Sequence, residues 1–271
     1  MNFHSDEWIL NQVNEHYEEA KTLVNPSHIV GVFYQGSGNY GLDYEGSDVD
    51  TKCIVTPDFK EIALNRKPLS TTHIRKNDEH IDLKDIRLYV QTFRKQNLNF
   101  LEILFTPYTV FPNEKFLAQW NRLVENREAI THYDSVRSVK SMMGIASEKY
   151  FAMEHHYPAR MEWIHKFGYD PKQLHHLLRV EEYLKRYIAG ESYEDCLHTR
   201  HSEYLKAVKT GIHSLEEARE LGKTTYDNIH QMCDEYIEKN KNTPINQEID
   251  ELLDDVAYQI MKISIKEDFN D

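Results

Sequence analysis

The chain has 271 residues, of which 40% are hydrophobic and 28% charged, proportions that support a buried core and exclude a largely disordered protein. Its formal net charge of −13, from 32 Lys+Arg against 45 Asp+Glu, excludes a general polyanion-binding surface but leaves room for a local basic patch. Cys53, Cys196 and Cys233 are scattered and form no C-x-x-C pair, and no apolar run approaches the ~18 residues of a membrane span. The expectation is a cytoplasmic protein, off the membrane, with neither a disulfide framework nor a zinc site.

A first helix is predicted from a cap at Ser5 or Asp6 to about Val24, because Trp8, Ile9, Val13, Tyr17, Ala20 and Val24 recur at helical spacing. HIVGVFYQ (28–35) and the segment 49–56 read as strands, being short, β-branched or aromatic, and bounded by Gly36 and Pro57. A weaker third strand is expected at 79–83, with a polar, irregular stretch between Phe59 and it. A helix follows from Asp85, and then the compact apolar segment NFLEILFTP (99–107). Beyond Pro112 strand signals fade, and amphipathic helices are expected at about 114–126, 135–155, 171–189, 202–209, 214–239 and 246–265. The chain therefore reads as α+β, a mixed sheet flanked by helices in residues 1–112 and an all-helical lobe in 113–271.

The stretch YQGSGNYGLDYEGSDVD (34–50) admits several motifs. GSGNYG matches the dinucleotide-binding glycine turn G-x-G-x-x-G, but Gly46-Ser47 interrupts before a crossover helix can form. A calcium loop starting at Asp48 has Lys52 and Cys53 where an oxygen ligand and glycine belong, and no Gly-Lys-Ser/Thr closes a P-loop. A third reading uses the whole stretch: a strand, Gly36-Ser37, ten residues, then Asp48-Val49-Asp50 entering the next strand. Alternate strand residues share a face, so Asp48 and Asp50 can offer paired carboxylates to Mg²⁺. Gly36 permits close approach to a phosphate, Ser37 offers a hydroxyl and an amide, and a turn near Asn39 would aim free N–H groups at the same anion. Glycines and aspartates of this kind are commonly turn residues, and Asp43 and Glu45 are read as solvent-facing ones.

Gly36, Ser37, Asp48 and Asp50 in this spacing resemble the DNA polymerase β-type nucleotidyltransferase superfamily. Asp82 in EHIDLKDI matches the third carboxylate that the resemblance implies, with Asp78, Glu79 and Asp85 as neighbouring alternatives. NLNFLEILFTP and HKFGYDPKQLHHLLRVEEYLKRYIAGES narrow the resemblance to the RNA-repair-associated nucleotidyltransferases, the RlaP or YcgL-like family, over about residues 28–195. Gly168, Tyr169, Asp170, Pro171, Lys172, His176 and Arg179 carry the second match.

The resemblance implies two Mg²⁺ or Mn²⁺ ions on Asp48, Asp50 and Asp82 as the catalytic and metal-binding set. It also implies a nucleoside triphosphate substrate, ATP among the candidates, and an RNA end as acceptor. Lys172, His176 and Arg179 fall on one helix face, a basic stripe for triphosphate oxygens or else an ordinary solvated face, while His175 points elsewhere. Tyr150, Tyr157 and Trp163 are core aromatics or base-stacking groups. Two rivals stay open: a catalytically idle nucleotide-sensing or antitoxin-like module acting through a protein partner, and an NAD-dependent enzyme built on GSGNYG.

Overall fold

The structure is a computed structural model and describes residues 3–269; residues 1, 2, 270 and 271, which the expected domain limits include, lie outside the described residues. Ser5 accepts a hydrogen bond from Trp8 N and caps α1 (Asp6–Leu23), whose Ile9, Val13, His16 and Ala20 are buried. Five strands follow in one sheet: β1 (Ile29–Gln35), β2 (Asp50–Val55), β3 (Ser70–Ile74), β4 (His80–Asp85) and β5 (Thr109–Val110). The spatial order is β3-β4-β2-β1-β5. β2 and β4 run parallel, and every other pair is antiparallel.

Between the strands lie α2 (Phe59–Ala63), α3 (Ile86–Arg94) and α4 (Leu98–Leu101); α5 (Leu117–Glu125) and α6 (Arg127–Thr131) follow β5. Further on come α7 (Ser135–Ala152), α8 (Met161–Phe167), α9 (Pro171–Ile188), α10 (Tyr193–Leu197), α11 (Ser202–Lys209), α12 (Leu215–Asn240) and α13 (Gln247–Asp268). The α+β class with a helical later part is therefore the architecture of the chain. β3 and α2 stand where an irregular stretch was expected.

Strand alternation divides the sheet into two chemically different faces. Val32, Tyr34, Cys53, Val55, Ile81 and Leu83 join Ile9, Val13 and Ala20 of α1 in one apolar cluster. The opposite face carries Phe33, packed against Trp120 with ring centroids 4.3 Å apart, and, along β2 and β4, a row of polar side chains.

Two compact units are present, and the division differs from the expected one at residue 112. The first runs through Asp134 and resumes at Ile245, and the second is Ser135–Pro244. The reason is α13, which packs on α3 and α5 of the first unit. Arg94 Nε reaches Asp250 at 2.6 Å, its Nη2 reaches Asp254 at 2.7 Å, and Ser264 Oγ lies 2.7 Å from Thr56 Oγ1. Amphipathic periodicity fixes which side of a helix is apolar but not which sheet receives it. Val256 is fully buried on α13, so Val256→Ala is expected to cost about 2 kcal/mol from lost transfer and cavity terms. Chemical denaturation checks this, and an unchanged midpoint would separate α13 from the core.

The second unit is helical, with α9 packed against α7, α10, α11 and α12. Among the described residues no helix is long and apolar enough to cross a membrane.

Candidate active site

β1 and β2 pair so that Gln35 lies opposite Asp50. Gly36-Ser37 therefore leaves one strand where Asp48-Val49-Asp50 enters the next. The turn is a short 3₁₀ helix, Ser37–Tyr40, closed by Gly41 at φ 70°, a left-handed position that suits glycine. Ser37 Oγ lies 3.3 Å from Ser47 Oγ across the ten-residue spacer.

The Gly36 backbone is extended, and glycine is required there for space: a Cβ would lie 2.5 Å from the buried Tyr34 hydroxyl. That hydroxyl accepts from Gly38 N at 3.1 Å, and burial pushes its pKa up. Gly36→Ala is expected to displace Tyr34 and the Ser37 turn at a cost of about 1–3 kcal/mol, read by denaturation. Tyr34→Phe in the same chain, which removes the nearest atom, should recover part of the loss; a wild-type midpoint for Gly36→Ala alone would refute the crowding.

Two expectations about this stretch change. The turn does not offer a fan of free N–H groups, because Gly38 N is bonded to Tyr34 and Asn39 N donates to Gly36 O at 3.1 Å. Asp43 is not solvent-facing. It is 2% exposed, and its carboxylate accepts from Phe3 N and His4 N, satisfying backbone donors just before α1. Glu45 is exposed.

Asp48 is exposed and lies just before β2, whereas Asp50 is its first residue. Asp50 Oδ1 accepts from His80 N at 2.9 Å and faces His80 Nδ1 at 3.1 Å. Asp82 is the register partner of Lys52 on the parallel neighbour β4, so Asp50, Lys52, His80 and Asp82 share one face. Lys52 Nζ bonds Asp82 Oδ2 at 2.7 Å and lies 4.5 Å from the centroid of the Phe100 ring, while Lys84 Nζ lies 4.1 Å from the same ring. Burial pulls the Lys84 pKa down, against the pull of Asp82 and with the push of Lys52 and Lys95.

Behind this face the motif is held by a buried network. His16, fully enclosed on the inner side of α1, lies 2.9 Å from Thr51 Oγ1 and 3.0 Å from Glu79 Oε2. Glu79 also accepts from Val49 N at 3.2 Å and from Arg75 Nη1 at 2.7 Å. Glu79 and Asp85, two of the three alternatives to Asp82, are committed elsewhere: Asp85 caps α3 by accepting from Arg87 N and binds the Arg87 guanidinium. Arg75 pairs with Glu19 and Glu79.

Hard oxygen donors on one face of adjacent strands fit a divalent cation such as Mg²⁺ in chemical type and in register. They are not drawn together: among the described residues no group of three or more His, Cys, Asp or Glu is gathered to hold a metal ion. Lys52 and His80 are the two neighbours that sequence reasoning missed. A lysine in the run DTKCIV was the available signal, since an ammonium inside a buried strand needs a carboxylate partner.

Lys172, His176 and Arg179 lie on α9 in the second unit. Gly168 ends α8 at φ 80°. Asp170 caps α9 by accepting from Lys172 N at 2.9 Å and takes the Arg160 guanidinium on both oxygens, and Pro171 sits in the first turn of the helix. The GYDPK segment thus builds a helix junction that starts the stripe. His176 is half-buried, and its pKa is held well below the usual histidine value first by burial, then by His175, Lys172, Arg179 and Lys149. His175 is buried, lies 2.8 Å from Leu205 O, and is lowered to about 4, chiefly by burial. Tyr150 stacks on Tyr226 at 4.5 Å, which accounts for it as packing.

The sequence matches the RNA repair pathway DNA polymerase beta family, RlaP, over residues 8–254. None of the curated proteins compared with the chain is significantly similar to it.

Proposed function

Given that the chain belongs to the RNA repair pathway DNA polymerase beta family, we propose that it is a Mg²⁺-dependent nucleotidyltransferase, moving a nucleoside monophosphate from a triphosphate to a hydroxyl at an RNA end. The observation that carries this reading is the register, which sets Gly36-Ser37 beside Asp50 and puts Asp82 on the same face one strand away.

Asp48, Asp50 and Asp82 are the residues that would hold two divalent ions. When bound, such ions supply Lewis acidity toward the phosphoryl oxygens and the acceptor hydroxyl. Ser37 and the Gly36 backbone bind and orient the triphosphate. The acceptor oxygen forms a bond to the α-phosphorus as the bond from that phosphorus to the bridging oxygen breaks. Pyrophosphate leaves with the electron pair, and Asp82 takes the acceptor proton. On α9 of the second unit, Lys172 and Arg179 offer cationic donors for phosphate oxygens and His176 a neutral one, because burial holds its pKa down. The all-helical second unit is accordingly the nucleotide- and substrate-binding part, and the first unit the catalytic part. A reducing cytoplasm is the proposed location, in keeping with three buried, unbridged cysteines.

A second reading is favoured by one specific observation, the Lys52–Asp82 ion pair. A carboxylate already neutralised by lysine suits a catalytically idle nucleotide-sensing module that works through a protein partner.

The test is incubation with each α-labelled nucleoside triphosphate, Mg²⁺ or Mn²⁺, and intact or broken RNA. The expected result is label on the RNA with release of pyrophosphate. Triphosphate binding without transfer to any RNA, DNA or protein acceptor would sink the enzyme reading and leave the sensing module. Saturable NAD binding indifferent to EDTA would move the assignment to the glycine turn.

A further inference from the structure

We propose that Lys52 is the resident counter-ion of Asp82 and a positioning residue for metal loading: a divalent cation reaches Asp82 only by displacing the Lys52 ammonium, which keeps its contact with the Phe100 ring. The inference rests on the reading of Asp82 as a metal ligand.

Four observations carry it. Lys52 and Asp82 are register partners on parallel strands, so the pairing is set by the sheet rather than by a flexible loop. The contact is 2.7 Å, and Lys52 is only 9% exposed, so its charge is not a solvated surface charge that happens to lie nearby. Phe100 presents its ring 4.5 Å from the same Nζ, within the ~6 Å range of cation–π attraction, so the ammonium already has a stabilising contact that does not depend on Asp82. Lys84 approaches the same ring at 4.1 Å.

An ammonium 2.7 Å from Asp82 Oδ2 and a doubly charged ion on the same carboxylate repel each other at short range in a poorly hydrated setting. The two cations are therefore alternatives. Asp50, by contrast, faces the His80 backbone and ring, and among the described residues no lysine is paired with it. The D-x-D end of the site and the Asp82 end thus differ in what a metal must remove: nothing positively charged by necessity at the first, a lysine at the second.

The experiment is titration of the full chain with Mn²⁺ alone, followed by electron paramagnetic resonance, comparing wild type, Lys52→Met, Lys52→Arg and the double variant Lys52→Met/Asp82→Asn. The expected result is Mn²⁺ affinity at least about tenfold tighter in Lys52→Met, near wild type in Lys52→Arg, and no gain in the double variant. That tenfold corresponds to about 1.4 kcal/mol. A merely structural lysine predicts the opposite sign, because loss of the ion pair loosens the strand pair and weakens binding.

Folded Lys52→Met that binds Mn²⁺ no tighter than a metal-binding wild type overturns the role of Lys52 alone. Absence of Mn²⁺ binding in both overturns it together with the metal reading of the site, and tight binding by Lys52→Met only supports it while favouring the idle module. Should Lys52→Met not fold, wild-type chain is reductively methylated with and without Mn²⁺ and Lys52 is followed by mass spectrometry. Faster modification with Mn²⁺ is expected, and an unchanged rate overturns the displacement.

Discussion

Asp48→Asn/Asp50→Asn is expected to lower nucleotidyl transfer by at least about a thousand-fold, roughly 4 kcal/mol of transition-state stabilisation, while the chain stays folded. Asp48 is exposed and Asp50 is half-buried at the mouth of its strand, so neither change opens a cavity. Asn keeps the size and one oxygen but removes both formal charges, and a hard divalent cation is held mainly by charge. The principal structural contact at risk is the acceptance from His80 N by Asp50 Oδ1, which an amide oxygen can maintain. Transfer of label and the far-ultraviolet circular dichroism spectrum should be measured on the same preparation. Full activity at matched purity with Mg²⁺ present would remove the D-x-D assignment.

Glu79→Ala is expected to cost about 3–5 kcal/mol of stability, the range for breaking a buried ion pair by deleting one partner. Its carboxylate meets His16, Arg75 and the Val49 amide at once, so truncation leaves three groups without this acceptor where solvent is scarce. Val49 sits between Asp48 and Asp50, and transfer should therefore fall as well.

The same network sets an acid limit. Burial holds the His16 pKa below its ordinary 6.5, outweighing the hydrogen bond to Glu79, with Arg75 lowering it further and Asp50 opposing. Burial raises the Glu79 carboxyl, but hydrogen bonds from His16, Asn77 and Val49 prevail and hold it below its ordinary 4.5. A histidine with a depressed folded pKa lets the unfolded chain take up its proton first, so stability falls as pH drops below about 6.5. The Glu79 contribution is full above 4.5 and is lost on further acidification, so both slopes have the same sign. Urea midpoints measured from pH 7 to pH 5 should decline in the wild type, and His16→Gln should flatten that decline. An identical slope in the variant would exclude His16 as its source.

Much of this is visible in the letters alone. β1, β2 and β4 announce themselves by continuous or alternating apolar residues, and the Gly-Ser to Asp-x-Asp spacing marks where two of them meet. β3 does not, because STTHI is exposed or half-exposed along its length and an edge strand has no need of an apolar face. β5 is two residues long, too short for any period to show. Asp43 reads as a turn residue by composition, yet it is buried by bonds to Phe3 and His4, a pairing forty residues apart for Phe3. Lys52 is the instructive case. The strand pattern puts it on the face of Asp50, but only the parallel register of β2 and β4 says which carboxylate lies opposite, and register between distant strands is a tertiary property.

The return of α13 to the first unit has a consequence for biosynthesis. A ribosome delivers the sheet early and the helix that finishes its packing last, after the whole of Ser135–Pro244 has emerged. The apolar sides of α3 and α5 must wait through that interval, and nascent domains with unfinished cores are the ones that aggregate or recruit chaperones. The inserted helical unit, continuous in sequence, carries no such debt and can mature while its host is still incomplete.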